Sequence, residues 1–463
     1  MSLRMPLALL VGAVAALASA LVPAGDPDGF WHVVIGRDML RDGLGRTDTF
    51  SWTVPGVAVL TDQWLGQLGL GLAYETAGWR GVVVLRALAG GAAVALTAFA
   101  ALAERPARPL VGVLATLPAL LLLRIVWTER PQFLAFALFA AFALFAALVI
   151  VIRAAWRGDR RAPWAGVPLL MFWANLHSSY VLGLVLLVAS AVALRRRGAV
   201  VAAALAVGAT LLTPAWAATL VVPSGHFLAP PRYVQEWAVP DLLTPAGLLV
   251  ALTLAAVVVT ALCGAPKPRE ALILLPVTFI SLTAVRHAPF LAIAAAPYLA
   301  AHGPSALHGL AEIMRLRLPV LASVPAPRSL GAFTLALAAV VLAGVPVVAP
   351  AEPDLRMYPV TALPALRAGN GLFNEYDWGG FLIFHAPATK VFIDGRLSPY
   401  VPHVVNDYTT IIEAHPGWRE TIARRGVTQL LVRPERAVAV RARELGWRET
   451  AAGPGFVVLD APR

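Results

Sequence analysis

This sequence predicts a polytopic α-helical membrane protein with a small α/β domain at its C-terminal end. Three observations predict that class. The 463-residue chain is 59% hydrophobic and only 14% charged, whereas soluble domains carry about 25% charged residues. Apolar runs lie near 5–22, 81–103, 110–126, 132–152, 198–221, 246–263 and 331–350, with shorter or interrupted runs near 164–176, 178–194, 271–285 and 288–301. At roughly 20 residues per span these amount to about eleven transmembrane helices, the short pairs reading as tilted or partly re-entrant. Third, the basic residues alternate in density from one short loop to the next, as topology signals do.

With the N-terminus in the cytoplasm, the inner loops carry Arg4; Arg105 and Arg108; Arg153, Arg157, Arg160 and Arg161; Arg195, Arg196 and Arg197; Lys267 and Arg269; and Arg315, Arg317 and Arg328. The outer short loops carry mainly Arg130, Arg232 and Arg286. An odd number of spans then places the C-terminal domain outside the cytoplasm. The stretch before Pro23 reads either as a retained first helix or as a signal peptide ending near Ala18, Ser19 and Ala20. Its spanning length favours retention, and both readings leave the following loop on the same side.

The formal charge of +11 does not point to nucleic acid. The basic residues sit between apolar runs, not interleaved with aromatics in a polar domain. A single cysteine, Cys263, allows no internal disulfide and no Cys-rich metal site.

Two segments are too polar for a bilayer. The expected organisation is a transmembrane region at 1–350, which includes a first outer loop at 24–80, and an extracytoplasmic α/β domain at 351–463. The loop holds Asp26, Asp28, Asp38, Asp42, Asp48, Asp62 and Glu75. The C-terminal segment alternates strand-like runs at 390–394, 427–432 and 455–459 with a helical pattern at 435–445, the mixture of a small α/β domain.

Asp26 and Asp28 follow directly on the first span, which would hold them at the membrane surface, where a lipid headgroup and a water-soluble acceptor could meet. A carboxylate there is able to accept a proton from an acceptor hydroxyl, and two close together are able to bind a divalent cation. The structural alternative is that the two acids cap a helix starting near Phe30.

The acidic pair, then Trp31 and His32, a Gly36-Arg37 helix and the Asp48-Thr-Phe-Ser-Trp52 segment resemble membrane glycosyltransferases of the GT-C class. The resemblance is strongest to bacterial mannosyltransferase-like and lipid A galacturonosyltransferase-like members. It continues at 129–132, 173–178, 235–237 and 286–289. It implies a GT-C-like fold, a catalytic Asp in the first outer loop matched here by Asp26 or Asp28, a polyprenyl-phosphate-linked sugar as donor, and transfer at the outer face of the bacterial inner membrane. The position of Phe30 departs mildly from a second aromatic found in that class.

A lipid phosphate needs cations at the outer interface. Arg130, Arg232 and Arg286 are candidates, with His32, His177 and His287 as further substrate contacts. Arg binds phosphate bidentately and stays charged, which stabilises a departing phosphate; interfacial snorkelling is the structural alternative. In the C-terminal segment Asp394 and Arg396 flank Gly395, either as an acceptor-side pair or as an internal ion pair of a turn. The expected partners are the lipid-linked sugar, a glycan, lipid or protein acceptor, and membrane lipids; no cofactor is certain. The expected reaction is a single inverting displacement. The rivals are a transporter or flippase of lipid-linked saccharides, which predicts an inverted repeat, and a non-catalytic assembly protein, which predicts tolerance of Asp substitution.

Overall fold

A computed structural model describes residues 3–59, 63–105, 107–128, 136–220, 238–264, 267–313, 328–396 and 399–462. The chain divides into two compact units, Met1–Pro23 with Trp79–Ala351, and Ala24–Gly78 with Glu352–Arg463. The polar first loop thus groups with the C-terminal segment, whereas the sequence reading places it with the helical region. The division falls within one long helix, Trp64–Glu104, whose backbone is broken at Ala77 and Gly78, the latter with φ +60°.

The first unit is helical. In chain order the helices are α1 (Arg4–Ala20), the second half of α3 (Trp64–Glu104), α4 (Pro109–Thr128), α5 (Phe136–Trp156), α6 (Ala162–Leu176), α7 (Tyr180–Leu194), α8 (Arg197–Thr210), α9 (Pro245–Cys263), α10 (Ala271–Thr283), α11 (Ala288–Ile313) and α12 (Arg328–Val348); α2 (Pro27–Asp42) belongs to the second unit. Each of the eleven expected runs thus contains a helix. Five described helical stretches are long and apolar enough to cross a membrane by length and composition: Trp64–Glu104, Leu138–Trp156, Pro245–Cys263, Val285–Glu312 and Ser329–Val348. Large apolar side chains such as Leu262 (79% exposed) and Val347 (78%) face outward, which water does not tolerate over so many helices but a bilayer does.

Inside the bundle, Phe139, Phe142, Phe145, Trp173 and Phe290 form an aromatic core. α1 meets α3 through glycine: a Cβ on Gly12 would stand 2.6 Å from the Gly91 carbonyl, and one on Gly91 2.7 Å from that of Gly12. Small residues at such a crossing let the backbones approach. Arg86, 2% exposed, donates to the carbonyls of Ser19 (2.8 Å) and Val22 at the end of α1, so a costly intramembrane charge caps orphan helix carbonyls.

The second unit joins α2 (Pro27–Asp42) and the first half of α3 to a four-stranded sheet with α13 (Gly379–His385), α14 (His403–Ile412), α15 (Trp418–Arg425) and α16 (Ala437–Glu444). The strands β1 (Leu372–Asn374), β2 (Gln429–Val432), β3 (Arg448–Gly453) and β4 (Phe456–Asp460) lie in the order β1-β2-β4-β3. β1 and β2 are parallel, and the other neighbours are antiparallel. Residues 390–394, expected as a strand, form only one isolated bridge. Val391 pairs with Ser51 of the loop, and Trp52 Nε1 and Thr53 Oγ1 donate to the carbonyls of Leu372 and Phe392. The loop is therefore built onto the C-terminal segment, and Trp52 packs against its core beside Phe392.

Candidate active site

The site is built around the first turn of α2. Asp26 takes the N-cap position with extended backbone and accepts the Asp28 amide at 2.8 Å; Pro27 follows with its fixed φ at the helix start. Asp26 is 4% exposed, so the capping alternative describes its geometry. Asp28 is partly exposed and points its Oδ1 at the Trp31 indole N–H, 2.8 Å away.

Two glycines of the C-terminal segment, Gly380 and Gly395, bring the backbone against this turn, and Gly379 packs it against Ile393 and Asp394 of the same segment. A Cβ on Gly380 would stand 1.9 Å from the Pro27 carbonyl, one on Gly379 2.4 Å from the Ile393 carbonyl, and one on Gly395 1.7 Å from Asp28 Oδ1. Tyr358 closes the turn by donating from its hydroxyl to the Gly25 carbonyl at 2.6 Å. Burial first, then the negative charges of Asp26, Asp28, Asp377 and Asp354, push the Tyr358 phenol above its usual range. Tyr358 is therefore a neutral donor among carboxylates. The sequence reading did not single it out; a Tyr a few residues past the last span carries no spacing signal.

His32 is 5% exposed. Its ring lies 3.6 Å from that of Trp31 between centroids, and its Nδ1 is 3.3 Å from Gln67 Nε2. Burial pushes its pKa down to about 3, so it is a neutral packing partner of Trp31, not a surface contact.

Asp394 and Arg396 are also interior, with side chains 0% and 4% exposed. Arg396 binds Asp394 through Nε (2.8 Å) and Nη2 (2.6 Å), pairs with Asp48 through Nη1, and donates to Tyr400, whose hydroxyl donates to Asp394 at 2.5 Å. Asp48 in turn accepts the amide and hydroxyl of Ser51 at 3.0 and 2.7 Å. The pair thus serves the internal fold, with Asp48 as a third member that its Asp-x-x-Ser spacing marks as a local turn acceptor. A further buried acid, Glu375, is held by Arg433 and Arg436.

In the helical unit His177 ends α6 and accepts the Ser179 amide on Nδ1 at 3.1 Å, with Asn175 donating to the carbonyls of Met171 and Leu212. These residues satisfy a polar turn between two short helices. His287 Nδ1 donates to the Ile280 carbonyl at 3.1 Å, next to Arg286 in a short 3-10 turn. Arg130 and Arg232, with residues 129–132 and 235–237, lie outside the described residues. Among the described residues no group of three or more His, Cys, Asp or Glu is placed to hold a metal ion. A cation at Asp26 and Asp28 would take its other oxygens from substrate or water.

No family model matches the chain, and no curated protein matches it by sequence. Solved structures do. The oligosaccharyltransferase of Archaeoglobus fulgidus in the apo form superposes with TM-score 0.55 at 10% identity over 92% of this chain and 69% of that one. The same enzyme tethered to an acceptor peptide gives 0.53 at 11% identity over the same shares. ArnT from Cupriavidus metallidurans in the apo state gives 0.51 at 16% identity over 97% of both chains. At these identities the likeness establishes the fold: a GT-C polytopic membrane architecture with a small C-terminal α/β part.

Proposed function

We propose, taking the GT-C fold as premise, that this chain is a membrane glycosyltransferase that moves a sugar from a polyprenyl-phosphate donor to an acceptor hydroxyl or amine. Asp28 is the base or the group that orients the acceptor. The observation that carries this reading is the carboxylate of Asp28: partly exposed, in the first turn of the helix that follows the first span, and aligned by the Trp31 N–H. A carboxylate so placed takes the proton as the acceptor attacks the anomeric carbon. The sugar–phosphate bond breaks, the lipid phosphate leaves with the electron pair, and the anomeric centre inverts. Asp26, buried and used as a cap, shapes the turn that presents Asp28.

Arg286 is proposed on separate grounds as a contact to lipid phosphate, because it is a permanently charged bidentate donor at a span end. The loop and C-terminal segment are proposed to lie outside the cytoplasm, the side that the alternation of Arg and Lys favours, and the membrane is proposed to be a bacterial inner membrane. The solved relatives support glycosyl transfer: one is an oligosaccharyltransferase by name, and one of its structures holds an acceptor peptide.

The test is release of polyprenyl phosphate, followed by mass spectrometry. Purified protein is given a panel of synthetic polyprenyl-phosphate hexoses, hexuronates and pentoses, with a bacterial membrane extract as acceptor source. Wild type should release lipid phosphate from at least one donor, and Asp28→Asn should lose that release while staying folded. Normal turnover by Asp28→Asn removes the base assignment, and silence of the wild type across the panel favours a carrier or assembly role.

A further inference from the structure

Gly395 stands between two residues that are locked, and beside one that is proposed to react. Its backbone is not in the left-handed region, so glycine is not there to permit a turn. It is there for space: a Cβ would sit 1.7 Å from Asp28 Oδ1, 2.7 Å from Asp28 Cγ and 3.1 Å from Trp31 Nε1. On either side of it, Asp394 and Arg396 are tied to each other by a bidentate pair, to Asp48 and to Tyr400, all in the interior. The turn therefore cannot swing away to relieve a clash; the Asp28 carboxylate would have to move.

We infer that Gly395 is a positioning residue for Asp28. The bare Cα face of the locked turn is the wall against which the carboxylate rests, and the Trp31 N–H fixes its remaining freedom. The inference rests on the reading of Asp28 as the acting carboxylate, and it adds that the C-terminal segment sets the geometry of that group. The Asp48–Arg396–Asp394 clamp then has a purpose beyond stability: it makes the wall rigid. A misplacement of about 1 Å at a reacting group costs on the order of 100-fold in rate.

Two measurements on the full-length protein test this. The first is independent of activity. Gly395→Ala should lower the melting temperature in detergent, and Asp28→Ala in the same chain should restore most of the loss, because it removes the carboxylate that the new methyl meets. Additive effects of the two substitutions overturn the contact. The second is the lipid-phosphate release assay with the donor that wild type uses. Gly395→Ala should lower kcat about 100-fold and leave KM for the donor within about twofold. Wild-type kcat, or a loss carried wholly by KM, overturns the positioning role. If Gly395→Ala does not fold, Trp31→Phe takes its place, since it withdraws the donor from the same oxygen. A drop in kcat at constant KM supports the inference, and an unchanged kcat sinks it. Normal release by Asp28→Asn would instead bring down the base assignment, and the positioning role with it, while leaving the melting-temperature result standing.

Discussion

Arg396 forms an ion pair with Asp48, so the turn after residues 390–394 is tied to the polar loop that follows the first helix. The pair is sealed from water, with side chains 4% and 0% exposed. Burial alone would lower the pKa of Arg396, but Asp394, Tyr400 and Asp48 raise it well above the ordinary value, and the guanidinium stays charged. One cation shared by two buried carboxylates explains why the loop and the C-terminal segment form a single compact unit although they are far apart in sequence.

Removal of Arg396 leaves two buried carboxylates facing each other. Arg396→Met is expected to destabilise the second unit by about 3–5 kcal/mol, the cost of breaking a buried pair from one side. Asp48→Asn keeps the Arg396–Asp394 pair and should cost about 1–3 kcal/mol. Chemical denaturation of the two variants beside wild type, followed by intrinsic tryptophan fluorescence, checks the order; an Asp48→Asn loss larger than that of Arg396→Met contradicts the account.

Acid should weaken the second unit through His32. The unfolded histidine takes a proton below about pH 6.5, whereas the buried one resists until about 3. Between those values the unfolded state binds more protons, so stability is complete above the unfolded pKa and falls as the pH drops. The slope reaches about 1.4 kcal/mol per pH unit, or roughly 2 kcal/mol between pH 6.5 and 5. His32→Gln should flatten that part of the profile. Denaturation midpoints at pH 7.5 and 5 for both proteins decide it, and parallel losses would show that His32 does not carry the effect.

Asp26 and Asp28 separate by substitution chemistry. Asn caps a helix as well as Asp does, and Ala does not. Asp26→Asn should therefore keep both fold and transfer, and Asp26→Ala should cost about 1 kcal/mol with transfer reduced only as the turn loosens. Asp28→Asn should keep stability and lose transfer. If Asp26→Asn is the silent variant and Asp28→Asn the active one, the base is Asp26 and the roles reverse.

The helical unit was legible because the bilayer demands long apolar runs, and each such run holds a helix. The capping role of Asp26 was legible as one alternative, since an Asp before Pro and an amphipathic stretch has few other local uses. What the sequence concealed is set by contacts between distant segments. Nothing local to Asp48 announces Arg396 as its partner. Gly395 read as a turn residue, although its backbone needs no glycine and its neighbour Asp28 does. Residues 390–394 alternate like a strand but bond to loop residues 50–52, so β-propensity was satisfied by irregular pairing.

The helical unit carries its own ionic junction, which yields the last prediction. Arg153 of α5 donates to Glu104 at the end of α3 (2.9 Å) and to Glu270 before α10 (2.7 Å); Glu104 also accepts from Arg157, and His302 of α11 lies 3.7 Å from Glu270. Three helix ends thus meet at one guanidinium whose side chain is 7% exposed, and the middle of α11 joins them through Glu270. Arg153→Met should lower stability by about 3–5 kcal/mol, because Glu270 keeps only a weaker histidine contact while Glu104 keeps Arg157. Glu270→Gln added to Arg153→Met should recover a substantial part, since a neutral amide is far cheaper to leave in place than a carboxylate. Thermal unfolding of the three variants in detergent gives the coupling between the sites. A double variant that is less stable than Arg153→Met alone would mean that Glu270 is held by something other than Arg153, and that the junction is not what fastens these helix ends together.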